Sequence, residues 1–68
     1  MSLDSAELTP RETEVLRALV SGARSSQIAS QLGITERTVK AHLANIYQKL
    51  GVESRSAAVA VAMQRRPV

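Results

Sequence analysis

The 68-residue chain has no cysteine, tryptophan or phenylalanine, and only one tyrosine and one histidine. Without cysteine there is no disulfide staple and no thiol nucleophile, and the lone His42 cannot build a His/Cys metal cluster, so the residues exclude a redox role and a structural zinc. The scarcity of aromatics leaves Ala, Val, Leu and Ile to build the core, a palette that favours helices packed at short distance. No apolar run is long. The longest, Ala57 to Met63, falls far short of the roughly 20 residues that span a bilayer. No charged segment precedes an apolar one in the manner of a signal peptide, and the chain reads as soluble and cytoplasmic, with no membrane partner. A chain this short buries only about 60% of the surface it exposes when unfolded, which argues against a layered enzyme with a deep pocket. No catalytic residue, metal ligand or cofactor site is assigned.

Charge is present but uneven. Residues 1 to 35 hold Arg11, Arg17 and Arg24 against Asp4, Glu7, Glu12 and Glu14, a net −1. From residue 36 onward Arg37, Lys40, Lys49, Arg55, Arg65 and Arg66 face only Glu36 and Glu53, a net +4, and the two halves give the formal +3 of the whole. The sequence pI near 10.2 exceeds the value of about 9 that suggests a polyanion partner. Charge alone is equally compatible with a small domain made basic for solubility.

Turn signals divide the chain into four short helices. Residues 1–7 are polar and uncapped and read as a tail or linker remnant, residues 8–65 as one domain, and 66–68 as a C-terminal tail. The run Thr9-Pro10-Arg11-Glu12 opens the first helix: Thr9 is the N-cap, Pro10 stands at N1 where its missing N–H costs nothing, and Glu12 at N3 completes a capping box. Val15, Leu16, Leu19 and Val20 form its apolar stripe, and Ser21-Gly22 closes it. A second helix of about two turns is predicted from between Arg24 and Ser26, with Ile28, Ala29 and Leu32 inward, stopping at Gly33. Thr35 caps a third from Glu36 to Leu50, and Ile34 at N′ is placed to pack on Val39 at N4 as a hydrophobic staple. Its apolar residues Val39, Leu43, Ile46 and Leu50 recur at spacings of 4, 3 and 4. Ser54 caps a fourth helix, from about Arg55 to Gln64, stopped by Arg66-Pro67.

Helices two and three are joined by Gly33, Ile34 and Thr35 alone, the connection of a helix-turn-helix over residues 25–50. Ala29 is small where the two helices cross, Gly33 supplies a turn of positive φ, and Val39 inserts between them. A generic antiparallel hairpin needs neither the small residue nor this spacing. With the stripe of helix three turned inward, Arg37, Lys40, Ala41, Ala44, Asn45 and Gln48 face out. That face carries two cations, an amide able to pair with adenine, and two small residues that let the backbone approach a groove floor. Glu36 sits at N1, where it complements the helix dipole. An ordinary solvated helix face mixes Glu with Lys; this one does not.

Taken together, Leu8-Thr9-Pro10-Arg11-Glu12, Gln27-Ile28-Ala29, Leu32-Gly33-Ile34-Thr35, Thr38-Val39-Lys40-Ala41-His42, Asn45-Ile46, Lys49-Leu50-Gly51-Val52 and Ser54-Arg55 resemble the LuxR-type, or NarL/FixJ-like, DNA-binding domain of bacterial transcription regulators. The resemblance runs from Leu8 to about Met63. It implies an all-α domain of four helices, the third in the major groove and the fourth forming a homodimer on a pseudo-palindromic operator. It puts Lys40, Ala41 and Ala44 at base-reading positions. Thr38, His42, Asn45 and Lys49 match positions that hold the DNA backbone, and Arg37 joins that set. There are two departures from the family pattern: the position of Ala44 is often long and polar or basic there, and the alanine shifts readout toward methyl contacts and shape. Ser25 and Ser26 replace a common Asn-Lys, leaving the N-terminal amides of helix two for a phosphate.

His42 has a phosphate-facing and a packing reading, and its neighbours Thr38 and Ile46 offer no second ligand or acid. Tyr47 either stacks on a base or covers the junction with the fourth helix. That helix is apolar around most of its circumference, and a small domain covers one side only, so Ser56, Val59, Ala60 and Met63 read as a dimer surface. Shielding of that side by Arg55, Arg65 and the tail is the alternative. The expectation is therefore the effector domain of a bacterial regulator, of a two-component response regulator or quorum-sensing type. It would bind duplex DNA, form a weak homodimer favoured on DNA, and touch RNA polymerase. The rival is a protein interaction module that presents the same basic face to an acidic protein.

Overall fold

The computed structural model describes residues 8–64 and contains helices α1 (Pro10–Val20), α2 (Ser25–Leu32), α3 (Glu36–Leu50) and α4 (Arg55–Gln64), with no strand among the described residues. The expected tails, 1–7 and 66–68, and Arg65 lie outside the described residues. No helix among the described residues is long and apolar enough to cross a membrane.

Local chemistry sets the helix limits. At α1 the Thr9 hydroxyl accepts the Glu12 N–H at 3.1 Å and the Glu12 carboxylate accepts the Thr9 N–H at 3.0 Å, the reciprocal capping box expected of this run. Thr35 Oγ1 accepts the Thr38 N–H at 3.1 Å at the start of α3, and Ser54 Oγ accepts the Ala57 N–H at 3.1 Å at the start of α4. Only α2 begins without a hydroxyl: Arg24 precedes it, and its N–H donates to Gln27 Oε1 at 2.8 Å. Gly33 stops α2 at φ 69° and ψ 33°, a left-handed conformation that costs glycine little. The N–H groups of Gly33 and Ile34 both turn back to the Ala29 carbonyl, the latter at 3.0 Å. The helix-turn-helix connection is thus closed on Ala29, which is nearly buried in the core.

The core is aliphatic. Val15, Ile28, Val39, Ile46 and Ala58 are fully buried, and Leu8, Leu16, Leu19, Ala29 and Leu43 nearly so. Val20, Leu32, Ile34 and Leu50 close its margin as half-buried neighbours. All four helices contribute to this cluster, with α3 packed on α1, α2 and α4. Burial of these side chains at roughly 1.5–3 kcal/mol each stabilises an eight-residue helix such as α2, which is too short to persist alone.

Candidate nucleic-acid interface

The inward stripe of α3 fixes what the helix can offer outward. Val39, Leu43 and Ile46 are buried, and at 100° per residue the opposite side falls to Arg37, Lys40, Ala41, Ala44, Asn45 and Gln48, all of which are exposed. Arg37 and Lys40 have no carboxylate within salt-bridge distance among the described residues, whereas Arg11 has Glu14 at 3.4 Å. Ala41 and Ala44 leave a shallow strip on which another surface can come close to the α3 backbone. At 1.5 Å per residue α3 is about 22 Å long, longer than the roughly 12 Å width of a major groove.

The edge of α3 beside this outward face, to which Asn45 also belongs, carries Lys49, which reaches α1. Thr38 is exposed, and its hydroxyl lies 3.0 Å from that of Thr35 at the helix start. His42 is half-buried and Asn45 exposed. The Lys49 ammonium donates to Glu12 Oε1 at 2.7 Å; the Glu12 side chain is 5% exposed and that of Lys49 34%. Burial works against the Glu12 carboxylate, but the Lys49 hydrogen bond, the Thr9 N–H and the charges of Lys49 and His42 outweigh it and hold its carboxyl below the ordinary 4.5. Sequence reasoning took Glu12 only as the third residue of a capping box and missed that it reaches across to α3. No spacing rule spans the separation of 37 positions from Glu12 to Lys49.

Ser25 is half-buried and Ser26 exposed at the start of α2. Tyr47 is half-buried against the core. On α4, Ser56, Ala60 and Met63 are exposed, Met63 at 54%, while Val59 is half-buried against the core. Val59 therefore straddles the inner and outer sides of α4 that the sequence reading kept apart. The Arg55 guanidinium at the first turn of α4 donates to the Ala23 carbonyl in the connection between α1 and α2, an anchorage with no sequence signal.

A helix-turn-helix whose longest helix turns a carboxylate-poor, cationic face to solvent is the architecture of a DNA-binding domain of a transcription regulator. Residues 6–62 match the family described as "Bacterial regulatory proteins, luxR family", and the chain belongs to that family. It is 48% identical over 62 residues to the transcriptional regulatory protein YdfI of Bacillus subtilis (strain 168), covering 91% of this chain and 29% of that protein. With the nitrate/nitrite response regulator protein NarP of Escherichia coli (strain K12) it shares 49% identity over 59 residues, 87% of this chain and 27% of that protein. The chain thus spans less than a third of the length of these relatives. The solved structure of the transcription factor GerE superposes with a TM-score of 0.78 at 41% identity, covering 94% of this chain and 90% of that one.

Proposed function

We propose that this chain binds a pseudo-palindromic operator with α3 in the major groove and acts, without catalysis of its own, as the effector part of a cytoplasmic transcription regulator. Lys40, Ala41 and Ala44 meet base edges. Ser25, Ser26, Arg37, Thr38, His42, Asn45 and Lys49 hold the backbone, and Ser56, Val59, Ala60 and Met63 join two copies. Phosphate contacts supply most of the affinity and base contacts the choice of sequence. The observation that carries this reading is the outward face of α3, where Arg37 and Lys40 are exposed, without a carboxylate partner among the described residues, beside two alanines. The relatives' length and their names as regulators support a place within a longer regulator.

Binding-site selection from a random duplex pool tests the reading and returns the operator. Lys40→Ala is expected to cost about 1–3 kcal/mol on the selected site and to flatten preference at one or two base positions, whereas Arg37→Ala weakens all sequences alike. An unchanged preference in Lys40→Ala removes Lys40 from base readout. Absence of enrichment for the wild type overturns the reading.

A further inference from the structure

Among the described residues, Lys49 is the one cation of α3 that is paired with a buried anion. The pair is not a loose surface contact. Its carboxylate is fixed from the α1 side, because the same Glu12 Oε1 accepts the Thr9 N–H at 3.0 Å and the Lys49 ammonium at 2.7 Å. Glu12 cannot swing out to solvent without breaking the cap of α1. The ammonium keeps two further N–H donors, and the Lys49 side chain is 34% exposed. Arg37 and Lys40, by contrast, lie on the same helix with no anion within salt-bridge distance among the described residues.

We propose that Glu12 cancels the charge of Lys49, so that Lys49 meets the DNA backbone as a positioned hydrogen-bond donor and not as a bare cation. The proposal rests on the backbone role given to Lys49 above. Its physical basis is that counterion release follows net charge: a phosphate neutralised by a bare cation releases its counterions, whereas a neutral Glu–Lys pair releases none. A bare cation also gains from any duplex. A compensated one gains only in a register that brings a phosphate oxygen to its N–H groups. Glu12 is then a positioning residue that limits sequence-independent affinity while leaving the specific contact in place.

The test is the slope of log K against log salt on duplex DNA. Glu12→Gln removes the charge and retains an oxygen for the Thr9 N–H, since Gln also serves at N3 of a capping box. The expected result is a slope steeper by about 0.9, equivalent to a further affinity gain of about 3.5-fold between 200 and 50 mM salt. The double variant Glu12→Gln with Lys49→Met returns the slope to the wild-type value while binding weakens through loss of the donor. A wild-type slope already as steep as that of Glu12→Gln overturns the proposal, as does a shallower slope in Glu12→Gln. Should Glu12→Gln fail to fold, wild type against the double variant decides: equal slopes support the compensation, and a wild type steeper by about 0.9 overturns it. If the wild type binds no duplex, the proposed function falls, and the same slopes measured on heparin still read the charge of the pair.

Discussion

Glu12 gives the molecule a pH dependence whose sign follows from its surroundings. Its carboxyl is held below the ordinary 4.5 in the folded state, so the unfolded chain takes up the proton first as pH falls. The stability it contributes is whole above 4.5 and is lost as the pH drops through the lower folded value. Thermal melts at pH 7 and at steps below 4.5 should show the wild type losing more of its midpoint than Glu12→Gln, and parallel losses would assign the acid sensitivity elsewhere. At neutral pH, Lys49→Met alone leaves a buried carboxylate without its ion partner and is expected to cost about 1–3 kcal/mol. That is less than a fully buried pair would lose, because the lysine side chain reaches solvent. Half of this arrangement was legible in the sequence. Thr9 and Glu12 stand three residues apart, within the reach of a capping rule, but Lys49 arrives beside them only once α3 has docked on α1. The sequence thus names Lys49 only through its resemblance to a family position and is silent about the anion behind it.

Helices obey more local rules. The starts of α3 and α4 fall where Thr35 and Ser54 put them and α3 stops at Gly51, since a hydroxyl cap and a left-handed glycine act within one turn of the residues they satisfy. The start of α2 was the least determined, because Arg24 has no acceptor to offer the helix and Gln27 supplies the only side-chain bond there. The two faces of the helix-turn-helix make a paired prediction. Ala29 on α2 is 6% exposed in the core, so Ala29→Leu should overpack it and cost about 1–3 kcal/mol. Ala44 is exposed on α3, so Ala44→Leu should melt near the wild type and bind DNA poorly. Melting curves and duplex titrations on both variants separate these outcomes, and an Ala44→Leu that melts as early as Ala29→Leu would refute the assignment of faces. Gly33→Ala isolates the backbone: a methyl group there meets no atom within 4 Å, yet φ stays at 69°, so a loss of about 1–2 kcal/mol is expected from conformation alone.

At the scale of the whole molecule, α4 does two things at once. Ala58 on its inner side is fully buried, and Met63 on its outer side is 54% exposed. Periodicity distinguished these sides poorly because Ala and Val surround the helix, and Val59 proved to belong partly to the core. Met63→Glu is therefore the cleaner probe of assembly than a change at Val59, which would also strain the fold. The exposed stripe is narrow, so sedimentation should find a monomer at micromolar concentration and two copies on a two-half-site duplex, held together by high local concentration. Met63→Glu should abolish the cooperativity of that second binding event; wild-type cooperativity in this variant would move the interface off α4. The anchorage of Arg55 on the Ala23 carbonyl and the burial of Ala58 also have a temporal side. During synthesis α3 is complete at Leu50 and α4 only at Gln64, 14 residues later. At about 5–20 residues per second the interval is about one to three seconds, far longer than the microsecond in which a helix forms. For that interval α3 belongs to a core still one helix short, and the apolar surface that meets Ala58 has no α4 to cover it.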